Sequence, residues 1–118
     1  MASKNLKSLN ELDFDSAIAN STVPVLVDFG AEWCAPCKAQ AKVLERMADE
    51  SRFAIVTVDI DECPGLAARY GVRGVPTLLA FSGGKETARR LGLANEASIR
   101  ALLNVRTSGA AGAVARAE

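Results

Sequence analysis

The chain opens its clearest pattern at Val23 to Phe29, an apolar run interrupted only by Pro24 and Asp28. Such a run predicts a strand buried on both faces and central to a sheet. The pattern then changes period. Cys37, Ala41, Leu44, Met47 and Ala48 recur at helical spacing, with Lys38, Lys42, Glu45 and Arg46 opposite, so an amphipathic helix is expected from Pro36 to about Asp49. Phe53 to Asp59 reads as a second strand, and Pro64 opens a short helix that Gly71 closes in a left-handed conformation. Pro76 to Phe81 and Glu86 to Leu91 flank Ser82-Gly83-Gly84-Lys85, the composition of a hairpin turn, and should pair antiparallel.

The ends are plainer. Asn5 to Leu9 is expected to form a short edge strand, although it alternates poorly. Asp13 is expected to cap a helix through about Asn20 with Phe14, Ala17 and Ile18 on one face, and Asn95 to cap a last helix that turns Ile99, Leu102 and Leu103 inward and ends near Val105. From Val23 onward the order is βαβαββα. Strands of both orientations, with parallel neighbours joined through helices by right-handed crossovers, predict an α/β fold: a three-layer α/β/α sandwich around a mixed central sheet. Residues 1–106 form one domain in this reading, and residues 107–118, mostly alanine and glycine, a flexible tail.

Composition narrows the class. At 118 residues, 49% hydrophobic and 24% charged, the chain suits one domain with an adequate core. Its 14 basic and 14 acidic residues cancel, which leaves no electrostatic footprint for nucleic acid or an anionic membrane. Met1 to Ser16 lacks the apolar core of a signal peptide, and no run approaches the roughly 18 apolar residues of a membrane span. A cytoplasmic monomer that recognises partners by shape and apolar contact is the expectation. Gly83-Gly84-Lys85 lacks the spacing of a phosphate loop, and Asn20-Ser21-Thr22 reads as a chance match to a glycosylation acceptor.

Chemistry concentrates at Trp33-Cys34-Ala35-Pro36-Cys37, directly after the first strand. Residues three apart on a helix are neighbours, and a disulfide needs α-carbons about 4.4 to 6.8 Å apart, so a helix starting here lets the two thiols open and close locally. Unpaired N–H groups and the positive dipole end at a helix start favour a thiolate at Cys34, the reactive form; free thiols titrate near about 8.5 and those of Cys-x-x-Cys sites at roughly 3.5 to 7.5. Pro36 suits a first helical position. Cys34 is therefore the expected nucleophile and Cys37 the resolving thiol. Zinc would need four ligands, whereas the chain has 3 cysteines and no histidine. Covalent haem needs a histidine where Lys38 stands, and a structural disulfide usually closes a longer loop in an exported protein.

These motifs together with Gly74-Val75-Pro76-Thr77, Asp28 six residues before the dithiol and Gly92 after the hairpin resemble the thioredoxin family over Leu9 to Val105. The resemblance implies a cis peptide before Pro76, with the Val75 backbone facing the dithiol and pairing with an extended substrate segment. It implies that Asp28 moves a proton to or from Cys37. An acid within an apolar strand should be desolvated and its pKa raised, the more so because Thr57 stands where the family often has a lysine. It further implies an apolar collar for docking proteins, made of Trp33, Ala35, Pro36, Ile60, Gly74, Val75, Pro76, Leu91, Gly92 and Leu93. For Ile60, Leu91 and Leu93 a core position is nearly as good a reading.

Departures from the family pattern are Gly30 for a tryptophan, Ala35 for a glycine and Lys42 for a helix-kinking proline; none removes a reacting group. Cys63 is expected to be an exposed bystander thiol. The implied activity is protein disulfide reduction, with no cofactor on this chain and with NADPH and flavin on a partner thioredoxin reductase. The rivals are a disulfide oxidase or isomerase, which usually carries histidine between the cysteines, and a non-enzymatic binding module using the same collar.

Overall fold

The computed structural model describes residues 6–104. Nine elements follow in order: β1 (Lys7–Ser8), α1 (Phe14–Asn20), β2 (Val25–Gly30), α2 (Ala35–Met47), β3 (Ala54–Asp59), α3 (Pro64–Arg69), β4 (Thr77–Ser82), β5 (Lys85–Leu91) and α4 (Glu96–Leu103). The sheet runs β1-β3-β2-β4-β5, with β1 and β2 parallel to β3, and β4 antiparallel to both β2 and β5. The expected α/β sandwich with a mixed central sheet is what forms. The expected tail lies outside the described residues.

Strand parity sorts the core into two layers. Val25, Val27 and Phe29 of β2 pack with Val56, Val58, Leu79 and Phe81 beneath Phe14 and Ile18 of α1 and Leu66 of α3. Leu26 shares the other layer with Ile55, Leu78 and Ala80, covered by Leu44 and Met47 of α2 and Ile99 and Leu103 of α4. Every residue of β2 is buried, as its unbroken apolar pattern requires. Val23 and Pro24 fall just outside the strand, and the Pro24 carbonyl accepts from Ala54 N–H at 2.9 Å.

Local signals explain most of the ends. Asn95 Oδ1 accepts from Ser98 N–H at 2.8 Å and caps α4, which closes on Asn104 in the left-handed region. Gly83 and Gly84, at φ of 60° and 81°, form the two-residue hairpin turn, and Gly71 follows α3 at φ 67°. Asp13 departs from expectation. Its backbone is already helical, at φ −90° and ψ −15°, and its side chain makes no capping bond. Asn10 instead accepts from the Asp13 N–H at 2.8 Å. α2 begins one residue earlier than Pro36 and runs without a break past Lys42, where a proline would have removed a backbone donor.

Gln40, polar yet completely buried in α2, carries a contact that the sequence pattern concealed. Its amide nitrogen donates to the Ala94 carbonyl at 3.0 Å, and its amide oxygen accepts from Ala94 N–H at 2.7 Å. One side chain thereby fixes the segment after β5 to the dithiol helix. Replacing Gln40→Leu leaves two buried backbone groups unpaired and should lower stability by about 3 kcal/mol. Urea unfolding of the two proteins measures this, and an unchanged midpoint would contradict it.

Candidate active site

The buried end of β2 delivers the chain into a turn at 31–34, closed by Cys34 N–H to the Ala31 carbonyl at 3.2 Å. Cys34 is extended, at φ −98° and ψ 109°, the backbone shape of an N-cap. Its sulfur takes the place usually held by a serine or aspartate oxygen, accepting from Cys37 N–H at 3.1 Å. Cys34 and Cys37 form a disulfide with α-carbons 5.2 Å apart. Cys34 is 5% exposed and Cys37 1%, so the outer sulfur is the one that a partner reaches. A helix start that aims an N–H at this sulfur stabilises negative charge on it when the bond opens.

The peptide bond between Val75 and Pro76 is cis. The Val75 carbonyl oxygen lies 3.8 Å from Cys34 Sγ. Thr77 Oγ1 donates to the Gly74 carbonyl at 2.6 Å, and Gly92 N–H donates to the Pro76 carbonyl at 2.8 Å, which braces this turn from both sides. Ile60 and Val75 pack partly buried against Ala31 and the two cysteines. Gly74 lies against Leu91, whose Cδ1 is 3.2 Å from where a Cβ on that glycine would sit. Trp33, Leu91 and Leu93 are 69%, 69% and 49% exposed, and Ala35 and Pro36 are exposed beside the disulfide. Leu91 and Leu93 are surface residues, whereas Ile60 is divided between core and rim. The collar residues thus cluster at the end of the sheet that bears the disulfide.

Asp28 is wholly buried in β2, on the same face as Leu26 and therefore beneath α2. It lies in register with Thr57 of β3 and Leu78 of β4. Among the described residues neither carboxylate oxygen nor the buried Thr57 hydroxyl has a hydrogen-bond partner. Removal from water pushes the Asp28 pKa up from the usual carboxylate range to about 7. The expected direction holds, with desolvation as its cause.

Cys63 overturns an expectation. It is 3% exposed, packed with Leu9 and Leu66, and its sulfur lies 3.8 Å from the Leu9 carbonyl. Pro64 after it suggested an open loop, but Cys63 stands just before α3 with its side chain turned into the core and makes no capping bond. Burial, then the charges of Glu11, Glu62 and Asp59, push its thiol pKa up, so it is a poor nucleophile. Asp61 is a residue the sequence reading missed. Its Oδ2 accepts from Trp33 Nε1 at 2.8 Å, and its own N–H donates to Asp59 Oδ1 at 2.8 Å, so the loop after β3 orients the indole. An aspartate beside Asp59 in a polar loop carried no signal of that reach. Among the described residues no three acidic, cysteine or histidine side chains group as metal ligands, and no helix is long and apolar enough to cross a membrane.

Comparison with known proteins agrees with this geometry. The thioredoxin family model matches residues 5–105. Thioredoxin of Acidithiobacillus ferridurans is 44% identical over 93 residues, spanning 77% of this chain and 86% of its own. Thioredoxin of Haemophilus influenzae is 37% identical over 98 residues, spanning 81% and 92%. The solved structure of a mutant thioredoxin from Halobacterium salinarum superposes with a TM-score of 0.78 at 34% identity, over 88% of this chain and 93% of that one. Fold, paired cysteines and relatives agree: the chain belongs to the thioredoxin family and is a thiol–disulfide oxidoreductase.

Proposed function

We propose that the chain reduces protein disulfides, and the observation that carries this is the outer sulfur of a local disulfide held as a helix cap beside a cis-proline turn. In the dithiol form the Cys34 thiolate attacks one sulfur of a substrate disulfide. The Cys34–substrate bond forms as the substrate S–S bond breaks, and the departing thiolate takes a proton. Cys37, one helical turn away, then loses its proton and attacks Cys34 Sγ, closing the Cys34–Cys37 bond and expelling the second substrate thiolate. Two electrons pass from this chain to the substrate. Asp28, beneath the same helix with a pKa near neutrality, is suited to exchange the Cys37 proton.

The collar of Trp33, Ala35, Pro36, Ile60, Gly74, Val75, Leu91, Gly92 and Leu93 supplies the apolar docking surface, and the Val75 backbone pairs with the substrate segment. The family relationship supports re-reduction by a thioredoxin reductase that carries flavin and draws on NADPH, with no cofactor on this chain, and a cytoplasmic setting. Residues 1–106 act as one functional domain.

Cys37→Ser should trap a covalent mixed disulfide with a disulfide-bonded protein, released by added thiol, while Cys34→Ser traps none and both lose turnover. Mass spectrometry of the mixtures decides this. Turnover that survives in Cys34→Ser would contradict the assignment. Thiol reactivity should agree, with alkylation at neutral pH modifying Cys34 well before Cys37 or Cys63.

Asp28 gives a pH prediction. Its folded pKa of about 7 exceeds the ordinary value of 3.8. Between these values the unfolded chain has released the proton and the folded chain has kept it. Stability therefore falls as pH rises through that window and levels off above it, a total of about 4 kcal/mol. Asp28→Asn should match the wild type near about pH 4 and exceed it by roughly that amount near about pH 8. Denaturant titrations at both pH values measure the difference. A difference that does not change with pH would contradict the raised pKa.

A further inference from the structure

Packing alone would put an apolar side chain at position 40. Cys37, Gln40, Leu44 and Met47 are the buried residues of α2, so Gln40 follows the resolving cysteine along the helix face that is turned into the protein. Its amide is taken up at both ends by the backbone of Ala94, which donates at 2.7 Å and accepts at 3.0 Å. Ala94 is itself only 1% exposed. Water has no access there to replace the side chain, so without Gln40 the Ala94 N–H and carbonyl are satisfied only if the backbone moves outward.

Ala94 ends the connection Gly92-Leu93-Ala94, which runs from Leu91, the last residue of β5, to Asn95, the cap of α4. The two ends of this connection are held by different parts of the site. Gly92, at φ 100°, donates its N–H to the Pro76 carbonyl at 2.8 Å, beside the Val75 backbone. Ala94 is held to the dithiol helix by Gln40. Between them stands Leu93, half exposed, and the Arg90 guanidinium meets its carbonyl at 3.4 Å on the solvent side. Leu93 is thus presented by a short bridge with one end on the Pro76 turn and the other on α2.

We infer that Gln40 is a positioning residue for substrate docking, which holds Leu93 in place beside the disulfide and so favours protein disulfides over small ones. The inference rests on the disulfide-reductase reading and names a residue outside the collar that shapes the collar. A protein substrate covers the bridge as its disulfide meets Cys34 and gains from a surface already in place. A small disulfide needs only the sulfur, and its exchange is indifferent to where Leu93 stands.

Gln40→Met keeps the length and bulk of the side chain and removes both hydrogen bonds. The fully reduced protein, shown by circular dichroism to be folded, is mixed with excess insulin or excess hydroxyethyl disulfide, and Trp33 fluorescence follows its oxidation. The second-order rate with insulin should fall about tenfold, the scale of a lost docking contact, while the rate with hydroxyethyl disulfide and the Cys34–Cys37 reduction potential stay unchanged. Leu93→Ala should also slow insulin, and Gln40→Met should add little to it, because both act through one side chain. Wild-type rates with both disulfides in Gln40→Met would overturn the inference and leave the reductase reading intact. Equal slowing with both would overturn it too, by placing Gln40 in support of the dithiol itself, as would fully additive losses in the double variant. Hydrogen exchange checks the clamp in the unaltered protein: the Ala94 N–H should exchange at least about a hundredfold more slowly than an open amide, and exchange at the open rate would contradict the inference. Insulin left unreduced by the wild-type protein would overturn the reductase reading, and the inference with it.

Discussion

Everything at the active end depends on the enclosure of β2. The strand is flanked by β3 and β4, covered by a helix layer on each face, and buried at all six positions. A chain leaving such a strand has little freedom, so the turn at 31–34 and the first turn of α2 are held by the whole sandwich. That rigidity lets a sulfur serve as the helix cap. The Cys37 N–H, which needs a partner at a helix start, finds it in Cys34 Sγ. The fold's need to satisfy a backbone donor and the site's need to stabilise a thiolate are met by one interaction.

The same enclosure sets the cost. Asp28 lies within β2 without a hydrogen-bond partner among the described residues, and its ionisation opposes folding. A leucine would pack there more favourably. In the proposed mechanism this acid, kept near neutrality beneath the dithiol helix, is the group that exchanges the Cys37 proton at the pH where thiol exchange runs. The turn at Pro76 and the loop after β5 are held by contacts from other elements, namely Thr77, Gly92 and Gln40.

Where physics is local, the sequence was readable. The apolar run of β2, the glycine pair of the hairpin, the Asn95 cap and the dithiol spacing each declare themselves within a few residues, and each appears in the structure at or near the expected bounds. The cis bond at Pro76 came from family likeness, because a proline at a strand start has an ordinary trans reading as well. What escaped was tertiary. Nothing local marks Gln40, whose amide is taken at both ends by Ala94, 54 positions away. Asp61 gained its role from Trp33, 28 residues distant. Cys63 looked exposed because a loop and a proline surround it, yet Leu9 and Leu66 close over it. Asp13 does not cap α1 because its backbone is already helical, with Asn10 from the preceding turn accepting from its N–H.

The most direct test of the account is the reduction potential of the Cys34–Cys37 pair, set by equilibration against defined thiol and disulfide ratios and checked at each point by alkylation. A protein disulfide reductase of this family should lie near about −270 mV. A value above about −200 mV would place the dithiol among isomerases and oxidases and contradict the claim that electrons leave this chain for its substrates.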